Sequence, residues 1–242
     1  MMNWLRQRLS AGLAVIALII GFAIVGSDVQ ARVAPKVTPK AIKENNRRLK
    51  YEISARCPQI SGVTAAAGFN RRAERLVRQR IATFKRDIGT PERGSRARSL
   101  EINYSVSLVS DNLISVGFDA SFETGGAHPN SYSFVLNYDL QSGRELALSD
   151  LFKPNSGYLR AISDYCIRQL RNQVSDYDTL RDGAAPTTNN YNSWLITQRG
   201  LSVTFDSYQV ASYAEGPKGV LVPYSVIKNY VGPSSPIANL VK

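Results

Sequence analysis

The sequence predicts an α+β domain in which an antiparallel β-sheet meander packs against two amphipathic helices. Three observations carry this. Residues 100–148 hold successive runs of alternating apolar and polar residues divided by turn residues. Phe69, Ala73, Leu76, Val77, Ile81, Phe84 and Ile88 form one stripe at helical spacing, and Leu159, Ile162, Cys166 and Leu170 form a second. An antiparallel sheet keeps one face on a core, and such stripes are what cover it.

Residues 1–31 read as an export signal. Arg6 and Arg8 precede the apolar run 11–26, and Val29-Gln30-Ala31 offers small-residue cleavage after Ala31. The alternative is an uncleaved anchor with its N-terminus in the cytoplasm. No cysteine follows the run, so a lipoprotein route has no support. Residues 32–48 carry Pro35, Pro39 and repeated basic residues without apolar periodicity, and they read as a mobile basic tether. The domain is expected over 49–232, in halves of about 49–148 and 149–232, with 233–242 as a tail.

Within the domain, residues 51–57 alternate like a strand that stops at Pro58. Residues 65–88 read as a long helix whose other face holds Arg71, Arg72, Arg75, Arg78, Lys85 and Arg86; Arg93, Arg96 and Arg98 follow in a loop. Residues 100–110 and 113–124 form a hairpin about Asp111-Asn112. A strand over 132–140 turns at Gln141-Ser142-Gly143 into 144–148, and a second helix covers about 157–174. Residues 175–193 are polar and loop-like. Strands over 201–208 and 220–222, joined through Gly216-Pro217, lead to a brief helix at 224–230.

The 242 residues carry a net charge of +11. Removing 1–31 takes away Arg6, Arg8 and Asp28 and leaves +10, so the exported part stays basic. Its two cysteines, Cys57 and Cys166, sit where oxidation is permitted. They could form one disulfide; two separately buried thiols are the alternative, because spacing alone does not show that the sulfurs meet. Neither has a ligand-spaced neighbour, so zinc has no case and no cofactor is expected.

The one histidine, His128, sits in SFETGGAHPN. Gly125 and Gly126 before it and Pro129 after it predict a sharp connection between strands. A catalytic histidine needs a nucleophile and an orienting group, and neither is local. His128 is therefore expected as a turn or contact residue, and no catalytic residue is assigned. Phosphate-binding loop, nucleophile-elbow and His-Glu-x-x-His patterns are missing. Late in the chain, Tyr208 and Tyr213 lie close to Gly216. Tyrosine combines a rigid apolar plate with a hydroxyl, a common recognition chemistry. Tyr213, beside the turn, is the expected contact; Tyr208 is open between contact and core.

Three blocks in order carry a resemblance: GGAHP followed by SYSFVLNYDLQSGRELALSDLF, then GLSVTFDSYQVASYAEGP, then VLVPYSVIKNYV. They resemble the extracytoplasmic domain, of unknown function as a family, found in lysozyme-sensing anti-sigma factors and beside the catalytic domain of some peptidoglycan deacetylases. The resemblance implies an α+β fold, export, and non-catalytic sensing or binding near the wall, with lysozyme as one ligand. Gly125, Gly126, His128 and Pro129 match the family's loop, and Tyr208, Tyr213 and Gly216 its tyrosine-glycine segment. Ser212 stands where members often have proline. About ten residues precede the hydrophobic run, too few for a sigma-binding module.

The expected protein is thus an exported envelope binding protein, periplasmic or secreted or anchored through 11–26, whose ligand is a wall-related protein such as lysozyme or a glycan. Lysozymes are commonly basic, so a domain of +10 would repel them at long range, and an anionic membrane or wall-polymer surface fits its charge better. Nucleic acid is not expected, given export and the lack of a recognition motif. The rival readings are a wall hydrolase or deacetylase-like enzyme with an unrecognised site, and a structural protein held at an anionic surface.

Overall fold

The computed structural model describes residues 34–91, 96–126 and 129–241, all within a unit from Val33 to Lys242. The signal or anchor at 1–31, its Ala31 cut, Arg93 and His128 lie outside the described residues. Among the described residues no helix is long and apolar enough to cross a membrane.

The fold is α+β, as expected, with two sheets and two clusters of buried side chains. The first sheet runs in sequence order through β1 (Lys36–Asn46), β2 (Tyr51–Ser61), β3 (Arg98–Val109), β4 (Leu113–Glu123), β5 (Asn130–Asp139) and β6 (Arg144–Glu145). Helix α1 (Ala66–Ile88) covers one face. Its predicted stripe is buried from Phe69 to Phe84, in one cluster with Ile53, Leu100, Ile102, Phe118 and Leu136. Strands β2 and β3 are parallel from Tyr51↔Arg98 to Ala55↔Ile102, and α1 is the long crossover that a parallel pair requires. The other neighbouring pairs of this sheet are antiparallel.

Two expectations about the start of the domain are corrected. The stretch read as a tether is strand β1 over Lys36–Asn46, paired with β2 along its whole length. It shows no apolar period because it is an edge strand exposed over most of both faces, and lysines on an edge discourage further pairing. Pro58 does not end β2. It stands opposite Pro39, and alternate pairs of an antiparallel ladder exchange no hydrogen bonds, so two residues without N–H can face each other there. Arg98, read as a loop cation, is buried; its guanidinium donates to the carbonyl oxygens of Ile88, at 2.6 Å, and Leu49, closing the end of α1.

The second cluster is built by α2 (Tyr158–Leu170), α3 (Tyr177–Gly183), a sheet of β7 (Trp194–Ile196), β8 (Gly200–Phe205) and β9 (Lys218–Pro223), and the short α4 (Tyr224–Ile227). The polar stretch 175–193 is therefore not a plain loop. Asp176 caps α3 by accepting from the N–H groups of Asp178 and Thr179. The residues read as a tail also pack inward, with Ile237 fully buried and Leu240 against the same cluster.

The sulfurs do not meet. Cys57 belongs to the first cluster and Cys166 to the second, and both are buried free thiols. Burial pushes the Cys57 thiol up to about 11 and that of Cys166 up to about 12, so both stay protonated at neutral pH. Of the two readings left open by the sequence, the structure has the separately buried thiols.

The halves meet where β7 lies on the face of the first sheet opposite α1. Ser115 Oγ accepts from Ile196 N–H at 2.9 Å and donates to Asn137 Oδ1 at 2.6 Å, while Asn137 Nδ2 donates to the Trp194 carbonyl at 2.8 Å. Ser107 Oγ donates to the Ile196 carbonyl at 2.8 Å. Residues 113–118 of β4 are buried throughout because both faces of that strand are covered.

Candidate functional site

The tyrosine segment begins where β8 ends. Asp206 and Gln209 close a turn, with Gln209 N–H donating to the Asp206 carbonyl at 3.0 Å. Inside it Tyr208 has φ +70, a left-handed conformation that is uncommon for a bulky side chain and costs on the order of 1–3 kcal/mol. The surroundings impose it: Gln209 Nε2 donates to the carbonyls of Gly183 (3.1 Å) and Asn190 (2.9 Å), and Val210 and Ala211 are buried. Tyr208 is 72% exposed and Tyr213 47%, and the rings stack with centroids 5.3 Å apart at 27°. A strained backbone here holds two tyrosines together in solvent.

The other side of this segment is fixed by Glu215. Its carboxylate accepts from Ser212 Oγ at 2.7 Å, Ser212 N–H at 3.1 Å, Ser175 N–H at 2.8 Å and Ser175 Oγ at 3.0 Å. These donors, the Ser212 hydroxyl first, hold the carboxyl down at about 2. Gly216 follows with φ +67, which lets the chain leave the turn toward Pro217 and β9. Ser212, where proline is frequent in the family it resembles, thus donates to the carboxylate through both groups.

Gly125, Gly126 and Pro129 are exposed in the connection from β4 to β5, closed by the pair Phe122↔Asn130, and Gly125 has φ +93. The tyrosine segment reaches the same strand: Asp206, just before Tyr208, lines one cleft with Ser133, three residues beyond Asn130. The head of the tyrosine segment and the end of the glycine turn thus both lie at the start of β5.

Sequence reasoning missed a cleft beside them. Its volume is about 460 Å³, and Arg80 from α1, Phe134 and Val135 from β5, Asn192, Trp194 and Asp206 line it. These residues come from four separate places in the chain. Arg80 lies with its guanidinium carbon 4.9 Å from the Phe134 ring centroid and 5.7 Å from that of Tyr132. Burial raises the Asp206 carboxyl above its usual range. The basic face of α1, by contrast, is partly neutralised: Arg72 pairs with Glu145 at 2.5 Å, Arg78 and Lys40 with Glu74 at 2.7 and 2.8 Å, and Lys85 with Glu44. Among the described residues no three His, Cys, Asp or Glu side chains come together as a metal site.

Comparisons with known proteins bear on this arrangement. The peptidoglycan-N-acetylmuramic acid deacetylase PdaC of Bacillus subtilis is 25% identical over 182 residues, which cover 74% of this chain and 38% of that enzyme. The chain thus spans well under half of that relative. A solved DUF3298 family member from Bacteroides fragilis matches 86% of this chain and 97% of its own, with TM-score 0.63 and 19% identity. One from Pseudomonas aeruginosa matches 84% and 96%, with TM-score 0.62 and 15% identity. Residues 149–225, which hold α2, the second sheet and both tyrosines, match the model of a protein family of unknown function, DUF3298, and the fold around them is the one these solved members share.

Proposed function

We propose that the chain is an extracytoplasmic, wall-directed binding protein that engages its ligand, without turnover, through the Tyr208–Tyr213 pair and the Gly125-Gly126 to Pro129 turn. The observation that carries this is the stacked, exposed tyrosine pair held at a strained turn, since strain maintained by its surroundings marks functional surfaces. Tyrosines of this kind give large contact area at low entropic cost. The partial match to a deacetylase of peptidoglycan supports a wall-related ligand, either a protein such as lysozyme or a glycan.

Binding of the full chain to lysozyme and to insoluble peptidoglycan is the test. Tyr213→Ala is expected to weaken the productive interaction by about tenfold or more, as for a truncated aromatic hot spot, with the circular dichroism spectrum unchanged. Salt separates the ligands: attraction to an anionic polymer fades as ionic strength rises, whereas a basic protein approaching a chain of +11 binds faster once repulsion is screened. Equal binding by wild type and the Tyr213 variant, or no binding to either ligand, overturns the reading.

A further inference from the structure

Three features of the cleft point to a ligand that does not depend on the tyrosine pair. The first is Arg80. Its Nε is buried without a hydrogen-bond partner, and among the described residues the side chain makes no ion pair. A guanidinium keeps its charge at any physiological pH, and its stack on Phe134 pre-places the fork.

The second is the outer edge of β5. In an antiparallel ladder the N–H and C=O of a residue point to the same side, and the side alternates along the strand. Asn137 turns its C=O to the N–H of Leu146 at 2.8 Å, away from β4, and by the alternation Ser133, which lines the cleft with Asp206, faces the same way. Val135 between them therefore offers both backbone groups to the same side, away from β4, while β6 pairs only with Tyr138 and Asp139. This open window is one residue wide. Asp206 stands in the cleft at the Ser133 end and Leu146 pairs at the other, so the window suits a single amide rather than an added strand.

The third is charge. Asp206 and Glu145 also line the cleft, and Glu145 is held by Arg72 at 2.5 Å. Beside two carboxylates Arg80 suits a monoanion better than a phosphate dianion.

We propose that this cleft binds a small N-acylated acid, its amide paired with the backbone of Val135 and its carboxylate held by Arg80. The volume of about 460 Å³ lies in the range of small-molecule sites. N-acetyl sugar acids and N-acyl amino acids share this chemistry, and the experiment separates them.

The full chain is titrated calorimetrically with N-acetylmuramic acid, N-acetylalanine, N-acetylglucosamine, lactate and inorganic phosphate. Saturable binding of either N-acetyl acid supports the proposal, and the tighter of the two names the source. N-acetylglucosamine, which lacks the acid, and lactate, which lacks the amide, are expected to bind roughly tenfold or more weakly, the loss of one hydrogen-bonded pair to a charged or backbone partner. Arg80→Gln should weaken the acids by a similar factor while leaving any ligand of Tyr213 unaffected, so the two sites can fail separately. Val135→Pro removes an N–H that the ladder does not use, together with the half-buried valine side chain, at an edge position where proline is tolerated; it serves if the Arg80 variant does not fold, and, folded, it should weaken both acids by a similar factor. The proposal is overturned if neither acid binds, if lactate or N-acetylglucosamine binds as tightly as they do, if phosphate outcompetes them, or if folded Arg80→Gln binds like wild type.

Discussion

The two halves of the domain are held together by different means. The first, from β2 to β5 with α1, is an apolar sandwich: Phe69, Ala73 and Val77 are fully buried on the helix, and Ile102, Val116 and Leu136 on the strands beneath. Side-chain bonds to backbone occur there at the two ends of α1, where Asn70 pairs with Ile60 and Arg98 with Ile88 and Leu49; the second half has an apolar cluster too, but such bonds recur along its connections. Ser163 Oγ and Tyr191 Oη both donate to the Ala184 carbonyl, at 2.6 and 2.7 Å, and Tyr224 Oη donates to that of Thr197 at 2.7 Å. Gln209 and Glu215 do the same for the tyrosine segment. Packing sets a surface in place; directed bonds set individual turns. The half with the second arrangement carries the strained tyrosines.

If that division holds, the largest loss comes from opening the first half. Phe69 is wholly buried and meets Tyr138 edge-on at 5.7 Å. Phe69→Ala is expected to cost about 3–5 kcal/mol in urea unfolding, with the full cooperative transition displaced. A loss under about 1 kcal/mol would mean that the site collapses around the missing ring and that the first half is less tightly packed than it looks.

The second half should respond to a steric change at a bond rather than to a cavity. A Cβ on Gly183 would stand 1.7 Å from the Gln209 carbonyl oxygen, so Gly183→Ala must push the tyrosine turn away from α3. We expect a loss of about 1–3 kcal/mol, the usual range for overpacking, together with separation of the Tyr208 and Tyr213 rings seen as lost nuclear Overhauser contacts between them. Unchanged ring contacts would show that the turn does not depend on its seat against α3.

The same contrast explains what was legible in the sequence. Stripes and alternations report burial, so α1, the hairpin of β3 and β4, and β5 stand where their periods place them. Strand β1 was illegible because it buries little, α3 because its cap and its one buried leucine lie in a polar stretch, and β7 because three residues are too short for a period. Of the site, the tyrosines and the glycine turn were visible as local clusters. Tyr208 proved more exposed than Tyr213, since its left-handed backbone turns it out of the fold. The cleft was invisible: Arg80 and Asp206 lie 126 positions apart, and Arg80 sits outside the basic residues that stood out on the helix face.

The smallest effect, and the most local, concerns Glu215. Its carboxyl is held at about 2, below the 4.5 of an unperturbed glutamate, so its contribution is fully present above about pH 4.5 and is lost as the pH falls through 2. Asp176 beside it is also lowered, by the hydroxyl and N–H of Thr179, and adds to the same acid side. In wild type the amide resonances of Ser175 and Ser212, both donors to Glu215, should move together with a midpoint near pH 2. In Glu215→Gln that step should vanish, while the chain stays folded because the first half's packing involves none of these groups. A wild-type midpoint near 4.5 would mean that the carboxylate is not clamped in solution, leaving the tyrosine pair to be held by the Gln209 bonds to Gly183 and Asn190 alone.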